Sequence, residues 1–230
     1  MKTAGKNRLF SRSFLLPTLA LTGMMSVFPV YAQQTPISEL SFPDPNLQTC
    51  VDNIVALDYE YAEEVEILSC YWDYPVSDLT GVEQFTNLDT VFLYGDNETT
   101  LQSLEPLTTI EGFRQLELTD YLNDSSLFTS IPTENFSSLF AFSLDGLSNV
   151  GNEIYDWLYQ VEGLTHLTFK NMGISELPQP SQLPYLWTLR LAGNPYLDLN
   201  EAVGLWGQAD LGELELGGLG KENTRLNTAD

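Results

Sequence analysis

The chain has 230 residues, 43% of them hydrophobic, and sets 32 acidic side chains against 9 basic ones for a formal charge of −23. A field of that sign repels nucleic acid and anionic lipid, which excludes nucleic-acid binding and favours solubility. One histidine and two cysteines leave few groups for metal or nucleophilic chemistry.

Residues 1–32 read as a cleaved secretory signal. Lys2, Lys6, Arg8 and Arg12 make a basic start, Phe14 to Val30 is mainly apolar, and Val30-Tyr31-Ala32 offers small residues where a signal peptidase reads. The apolar run is short for a membrane span and is broken by Pro17 and Pro29. No cysteine follows it directly, which argues against a lipid anchor. A mature chain starting near Gln33 keeps all 32 acids but only 5 bases, formally −27 over 198 residues, and no membrane insertion is expected of it.

Residues 33–64 comprise a lead-in and a cap. Residues 33–43 are expected to be flexible. Asp44-Pro45 then starts a helix, with an N-cap acid before proline at the first helical position. Leu47, Cys50, Val51 and Ile54 share one apolar stripe of this helix, which would cover the first edge of whatever follows.

Residues 65–220 repeat. In Leu186–Asn194, LWTLRLAGN, leucines at positions one, four and six and an asparagine at nine form the core of a leucine-rich repeat. Weaker copies start at Val65, Leu88, Phe113, Leu139, Leu164 and Leu211, giving about seven repeats at intervals of 22 to 26 residues. Positions three to seven form a short strand, so four and six point inward while three, five and seven point out. The inward pairs run from Leu68 and Cys70 to Leu214 and Leu216 and are almost all large hydrophobes. The fold class expected is α/β: a right-handed solenoid with a parallel concave β-sheet and an N-terminal capping helix. Short helices are expected on the returning segments, at 154–161 and from Asn200 onward. Position nine is Asn only at Asn194, the others being Asp73, Asp96, Tyr121, Leu147, Met172 and Leu219, so the usual asparagine ladder is mostly absent. Extra residues at 96–100 and 121–126 predict bulging loops. Residues 221–230 are a polar tail without an apolar cap, leaving either an open last repeat or a chain that is a piece of something longer.

Cys70 is at an inward position of the first strand, and Cys50 lies on the apolar stripe of the cap. In an exported chain an isolated pair favours a disulfide, here stapling cap to solenoid, with two buried thiols as the alternative.

FPDPNLQTCV, VEILSC and DLTGVEQFTNLDTVFLYGDN together resemble the N-terminal cap and first repeats of exported bacterial leucine-rich repeat proteins, broadly internalin-like. The resemblance covers about residues 42–220. It implies a ligand-binding module that is secreted, periplasmic or on the cell surface.

Catalytic constellations are nearly absent. Ser143, His166 and Asp145 could be drawn as a triad on adjacent strands, but nothing supplies a nucleophile elbow or an oxyanion hole. Residues 217–221, GGLGK, are followed by Glu222 where a phosphate loop needs Ser or Thr. Asp198, Asn200 and Glu201 resemble a calcium loop, but Val203 stands where the glycine must be. No catalytic residue, metal site or cofactor is therefore expected.

The candidate site is the set of outward side chains. Tyr71, Phe92 and Tyr94 would form an aromatic patch on a solvated face, unless a loop or the cap covers them. Glu117, His166, Lys170 and Arg190 are further candidates. Ion pairs of Lys170 with Asp145 and of Arg190 with Glu215 would account for the two bases without any ligand. The expectation is a non-catalytic module binding a protein or a glycan through its concave face. The rival is a structural spacer within a larger surface protein.

Overall fold

The computed structural model describes residues 34–207, 209–217 and 225–226. The signal segment, Leu219 and most of the tail lie outside the described residues. Seven strands follow the repeats: β1 (Ile67–Cys70), β2 (Thr90–Tyr94), β3 (Gln115–Thr119), β4 (Ala141–Asp145), β5 (His166–Lys170), β6 (Thr188–Arg190) and β7 (Glu213–Glu215). They pair in chain order, all parallel, in one open sheet. The register is that of the repeats, with Leu68 beside Val91, then Leu116, Phe142, Leu167, Leu189 and Leu214. Each inward side chain at positions four and six is at most 1% exposed. Burying one such leucine is worth roughly 1.5 to 3 kcal/mol, and none could be buried without the repeat beside it. The leucine-rich repeat solenoid follows directly.

The returning segments close the core from the convex side. Val76, Leu79, Leu101, Leu104, Ile174 and Leu177 are all buried there. Most segments form single 3₁₀ turns, with short helices α3 (Ser126–Thr129), α4 (Ile154–Leu158) and α5 (Leu199–Trp206) in the later repeats. α5 is capped by Asp198, whose carboxylate accepts from the Glu201 amide, and not opened by Asn200 as expected. The same contact occupies the acid that resembled a calcium ligand.

The lead-in is not flexible. Pro36 bridges Tyr61, residues 37–39 form a 3₁₀ turn, and Ile37, Leu40 and Phe42 are buried. Phe42 reaches the ring of Phe85 at 5.8 Å, so three apolar residues spaced along QQTPISELSFP join the first repeats. The capping helix α1 (Pro45–Cys50) starts as expected, with Asp44 accepting from the Asn46 and Leu47 amides. One π-turn, Val51–Val55, then carries it into α2 (Ala56–Asp58), and Val55 joins the buried stripe of Leu47, Cys50 and Val51. The Ile54 side chain lies outside the described residues.

A disulfide and a set of hydrogen bonds, among them Asn46 donating its side-chain amide to the Pro75 carbonyl, join cap to solenoid. Cys50 and Cys70 are disulfide-bonded, with Cα atoms 5.6 Å apart. The second Asp44 oxygen accepts from the Ser77 amide at 2.6 Å, the Ser77 hydroxyl at 2.8 Å and the Asp78 amide at 2.9 Å. Burial raises the pKa of this carboxyl, but the donors from Ser77, Asp78 and Asn46 outweigh it and hold the group below its ordinary value.

The missing asparagine ladder is replaced piecemeal. Asn194 accepts from the Met172 amide and donates to the Phe169 and Leu191 carbonyls, as an asparagine at position nine should. Elsewhere aromatic donors span the repeats: Tyr121 to the Val76 carbonyl, Trp157 to Ile131, Tyr155 to Glu176 and Trp206 to Pro178. Asn123 and Asn152 tie neighbouring returning segments to Leu101 and to Ser175 and Glu176. The segments expected to bulge are loops, tied to each other by backbone hydrogen bonds. Asn97 donates to the Asp120 carbonyl and Leu122 to that of Thr99, while Tyr121 is buried.

Position eight turns the chain. Asp120 and Asn171 hold φ of 56° and 51° there, and Gly146 and Gly193 of the following repeats hold 79° and 73°. A Cβ on Gly146 would strike the Asp120 carboxylate, and one on Gly193 the Asn171 amide, so polar side chain and glycine alternate. Beyond β7, β8 (Arg225–Leu226) pairs antiparallel to it and covers a backbone edge that the polar tail was expected to leave open.

Two outcomes test the cap. Asp44→Ala should cost about 3 kcal/mol at pH 7, because it removes an N-cap and leaves half-buried amides of the first returning segment without their acceptor. Since the folded state depresses this pKa, the stabilisation is present above the ordinary value of 3.8 and is lost as pH falls through the folded value. Denaturant midpoints of the two proteins should therefore converge in acid, and a constant gap would refute the assignment. Cys50→Ser/Cys70→Ser should lower unfolding free energy by roughly 3 kcal/mol, read in the same titration.

Candidate binding face

The outward residues form three rows across the seven parallel strands. Position three carries Ile67, Thr90, Gln115, Ala141, His166, Thr188 and Glu213 in lateral register. Position five carries Ser69, Phe92, Glu117, Ser143, Thr168, Arg190 and Glu215. Position seven continues from Tyr94 through Thr119 and Asp145 to Lys170. Every residue expected at the site therefore lies on one face. The structure groups them differently from expectation.

The aromatic patch is Tyr71, Trp72 and Tyr94. Tyr71 and Tyr94 stack at 5.7 Å with planes 15° apart. Trp72 stands edge-on to both, at 68° and 83°. Neither loop nor cap covers it, since Trp72 is 65% and Tyr71 46% exposed. Phe92, expected in this patch, makes no ring contact among the described residues. It belongs to row five, between Ser69 and Glu117, whereas the stack runs along row seven. Trp72 was missed because position eight is neither inward nor outward in a strand; the run YWDY was the available signal.

Tyr94 joins the patch to a second region by donating its hydroxyl to Glu117 at 3.3 Å. A depression of about 420 Å³ follows, lined by Glu117, Ser143, Asp145, His166, Lys170 and Arg190 among others. Burial is the largest influence on the Glu117 carboxyl and leaves its pKa raised; Tyr94, Lys170 and Arg190 oppose the rise and Asp145 adds to it. His166 is shifted down by burial and by Arg190, with Glu213 opposing, so the ring is neutral at pH 7. Its Nδ1 lies 2.8 Å from the Thr165 hydroxyl, and its ring meets the edge of Phe140, over which Arg114 stacks at 4.9 Å. No hydrogen bond links Ser143, His166 and Asp145 among the described residues, and Asp145 instead accepts from the Asn171 amide.

The bases find other partners than the spacing suggested. Lys170 is beside Asp145 in register, yet its ammonium pairs with Glu215 at 3.8 Å. Ala192 holds row seven in the intervening repeat, and so small a side chain lets the lysine reach past it. Arg190 pairs with Glu213 at 3.1 Å and faces Glu215 at 3.5 Å as expected, although its Nε lacks hydrogen-bond geometry there. These exposed pairs are individually worth roughly 0 to 1 kcal/mol. Among the described residues no group of three or more His, Cys, Asp or Glu side chains is placed to hold a metal ion.

No protein-family model matches this chain, and no curated protein matches it. Among solved structures it is similar to internalin C2 of Listeria monocytogenes, at 22% identity and TM-score 0.48 over 79% of this chain and 86% of that one. It is also similar to internalin F of the same organism, at 18% identity and TM-score 0.50 over 78% of this chain. The match spans 57% of internalin F. At these identities the likeness establishes the solenoid fold alone.

Glu117→Gln keeps an acceptor for Tyr94 but removes a charge that burial disfavours. A raised folded pKa means that ionisation costs stability, so the variant should melt higher at pH 7. The advantage should shrink as pH falls through the folded value toward the ordinary 4.5. A lower melting temperature at pH 7 would show that the carboxylate is stabilising.

Proposed function

We propose that this chain is an exported, non-catalytic leucine-rich repeat module that binds a protein through its concave face. The observation that carries the reading is the Tyr71–Trp72–Tyr94 cluster: two exposed aromatics and a half-buried one, in mutual ring contact beside a polar depression on a parallel sheet. Rigid aromatic anchors lose little conformational entropy on binding and dominate most interfaces. Export is supported by the signal-like start and by the Cys50–Cys70 disulfide, which persists in an oxidising compartment. Secreted, periplasmic and surface-held forms all fit that reading.

The test is capture of a partner by the full chain, compared with a Tyr71→Ala/Trp72→Ala/Tyr94→Ala variant of unchanged circular dichroism. Affinity should fall on the order of 100-fold, since three truncated anchors contribute at least about 1 kcal/mol each. A partner held equally by both proteins would move the interface off this face.

A further inference from the structure

The charge balance of the concave face points to the chemistry of its occupant. Its three outward rows contain two cationic side chains, Lys170 and Arg190, and four carboxylates, Glu117, Asp145, Glu213 and Glu215, among the described residues. Both cations are engaged at the β7 end by Glu213 and Glu215. Glu117 and Asp145 accept hydrogen bonds from neutral groups, the Tyr94 hydroxyl and the Asn171 amide, and Lys170 and Arg190 act on Glu117 through space while their ion pairs are with Glu213 and Glu215. The uncompensated carboxylates therefore lie on β3 and β4, beside the aromatic cluster on β1 and β2.

We propose that this half of the face receives a basic segment of the partner polypeptide, with one Lys or Arg against the Tyr71–Trp72–Tyr94 rings and another between Glu117 and Asp145. The inference rests on the protein-binding reading above and adds the partner's charge. Trp72 perpendicular to the Tyr71–Tyr94 stack gives a corner with two aromatic walls. A ring face attracts a cation within about 6 Å, most strongly for tryptophan. Strands are about 4.8 Å apart, so Glu117 and Asp145 are one and two spacings from Tyr94. Alternate side chains of an extended peptide, about 7 Å apart, can address corner and carboxylates together. An acidic partner would be repelled, both locally and by a chain at −23. A neutral glycan stacked on the rings would leave both carboxylates uncompensated.

A displayed library of random dodecapeptides, panned against the immobilised full chain, tests this. Enriched peptides should carry at least two Lys or Arg. They should lose at least tenfold in affinity for Tyr71→Ala/Trp72→Ala and for Glu117→Gln/Asp145→Asn. Binding should persist in Glu134→Gln/Glu162→Gln, which removes the same charge from the returning segments. Enrichment of neutral or acidic peptides that need the rings overturns the basic partner but leaves a protein-binding face. Equal loss in all three variants means attraction by the overall field and overturns the site. No enrichment removes both readings. Retention on a glycan array of an uncharged oligosaccharide, lost in Tyr71→Ala/Trp72→Ala, replaces the polypeptide with a glycan.

Discussion

A single repeat of this chain cannot bury its own apolar side. Leu189 and Leu191 are shielded only because the inward pairs of the repeats on either side pack against them, and the same holds along the sheet. The parallel ladder is the geometry that achieves this. It sets every strand in the same phase, and that phase leaves positions three, five and seven facing solvent. The concave surface is thus a by-product of core formation, and its composition is free to vary because the core makes no demand on it. Functional content can be sought there without disturbing the argument for the fold.

Stacking of this kind leaves ends that need separate chemistry. At the N-terminal end the solution is heavily polar and covalent: a disulfide inside the core, and one carboxylate shared between a helix start and the first returning segment. Asp44 is 4% exposed, and a buried acid is tolerable only where its oxygens are saturated with donors. The lead-in reinforces the same junction from outside with Ile37, Leu40 and Phe42. At the other end a short antiparallel strand pairs its backbone with that of β7.

Legibility of the sequence followed the range of the interaction. The register was readable in full because a leucine at position four meets the same environment in every repeat, so local pattern and global packing agree. Departures arose where one residue's role depends on a neighbour one or two repeats away. Lys170 bypasses Asp145 because Ala192 is small, and Tyr121 replaces an asparagine by reaching the carbonyl of Val76, two repeats back. Such choices depend on side-chain length across the sheet, which spacing within a single repeat does not encode. At the site the face was legible and the grouping was not. Phe92 has the right chemistry in the wrong row, while Trp72 lies just past the strand, where alternation of facing ceases.

Distribution of charge, rather than its total, separates this face from the rest of an acidic surface. Excess acid scattered over a protein gives solubility and needs no partner. Here the described ion pairs collect at β5 to β7, where they neutralise one another. Had Lys170 paired with Asp145, the negative charge beside the aromatic rings would be halved. Its reach to Glu215 instead concentrates the uncompensated carboxylates next to the exposed rings. Glu117 pays for that position with an unfavourable burial that Tyr94, Lys170 and Arg190 only partly offset. A half-buried carboxylate with a raised pKa, on a surface that the core leaves free to vary, is held there at a cost to the fold. Contact with a cation from outside the chain is the simplest physical event that removes the cost.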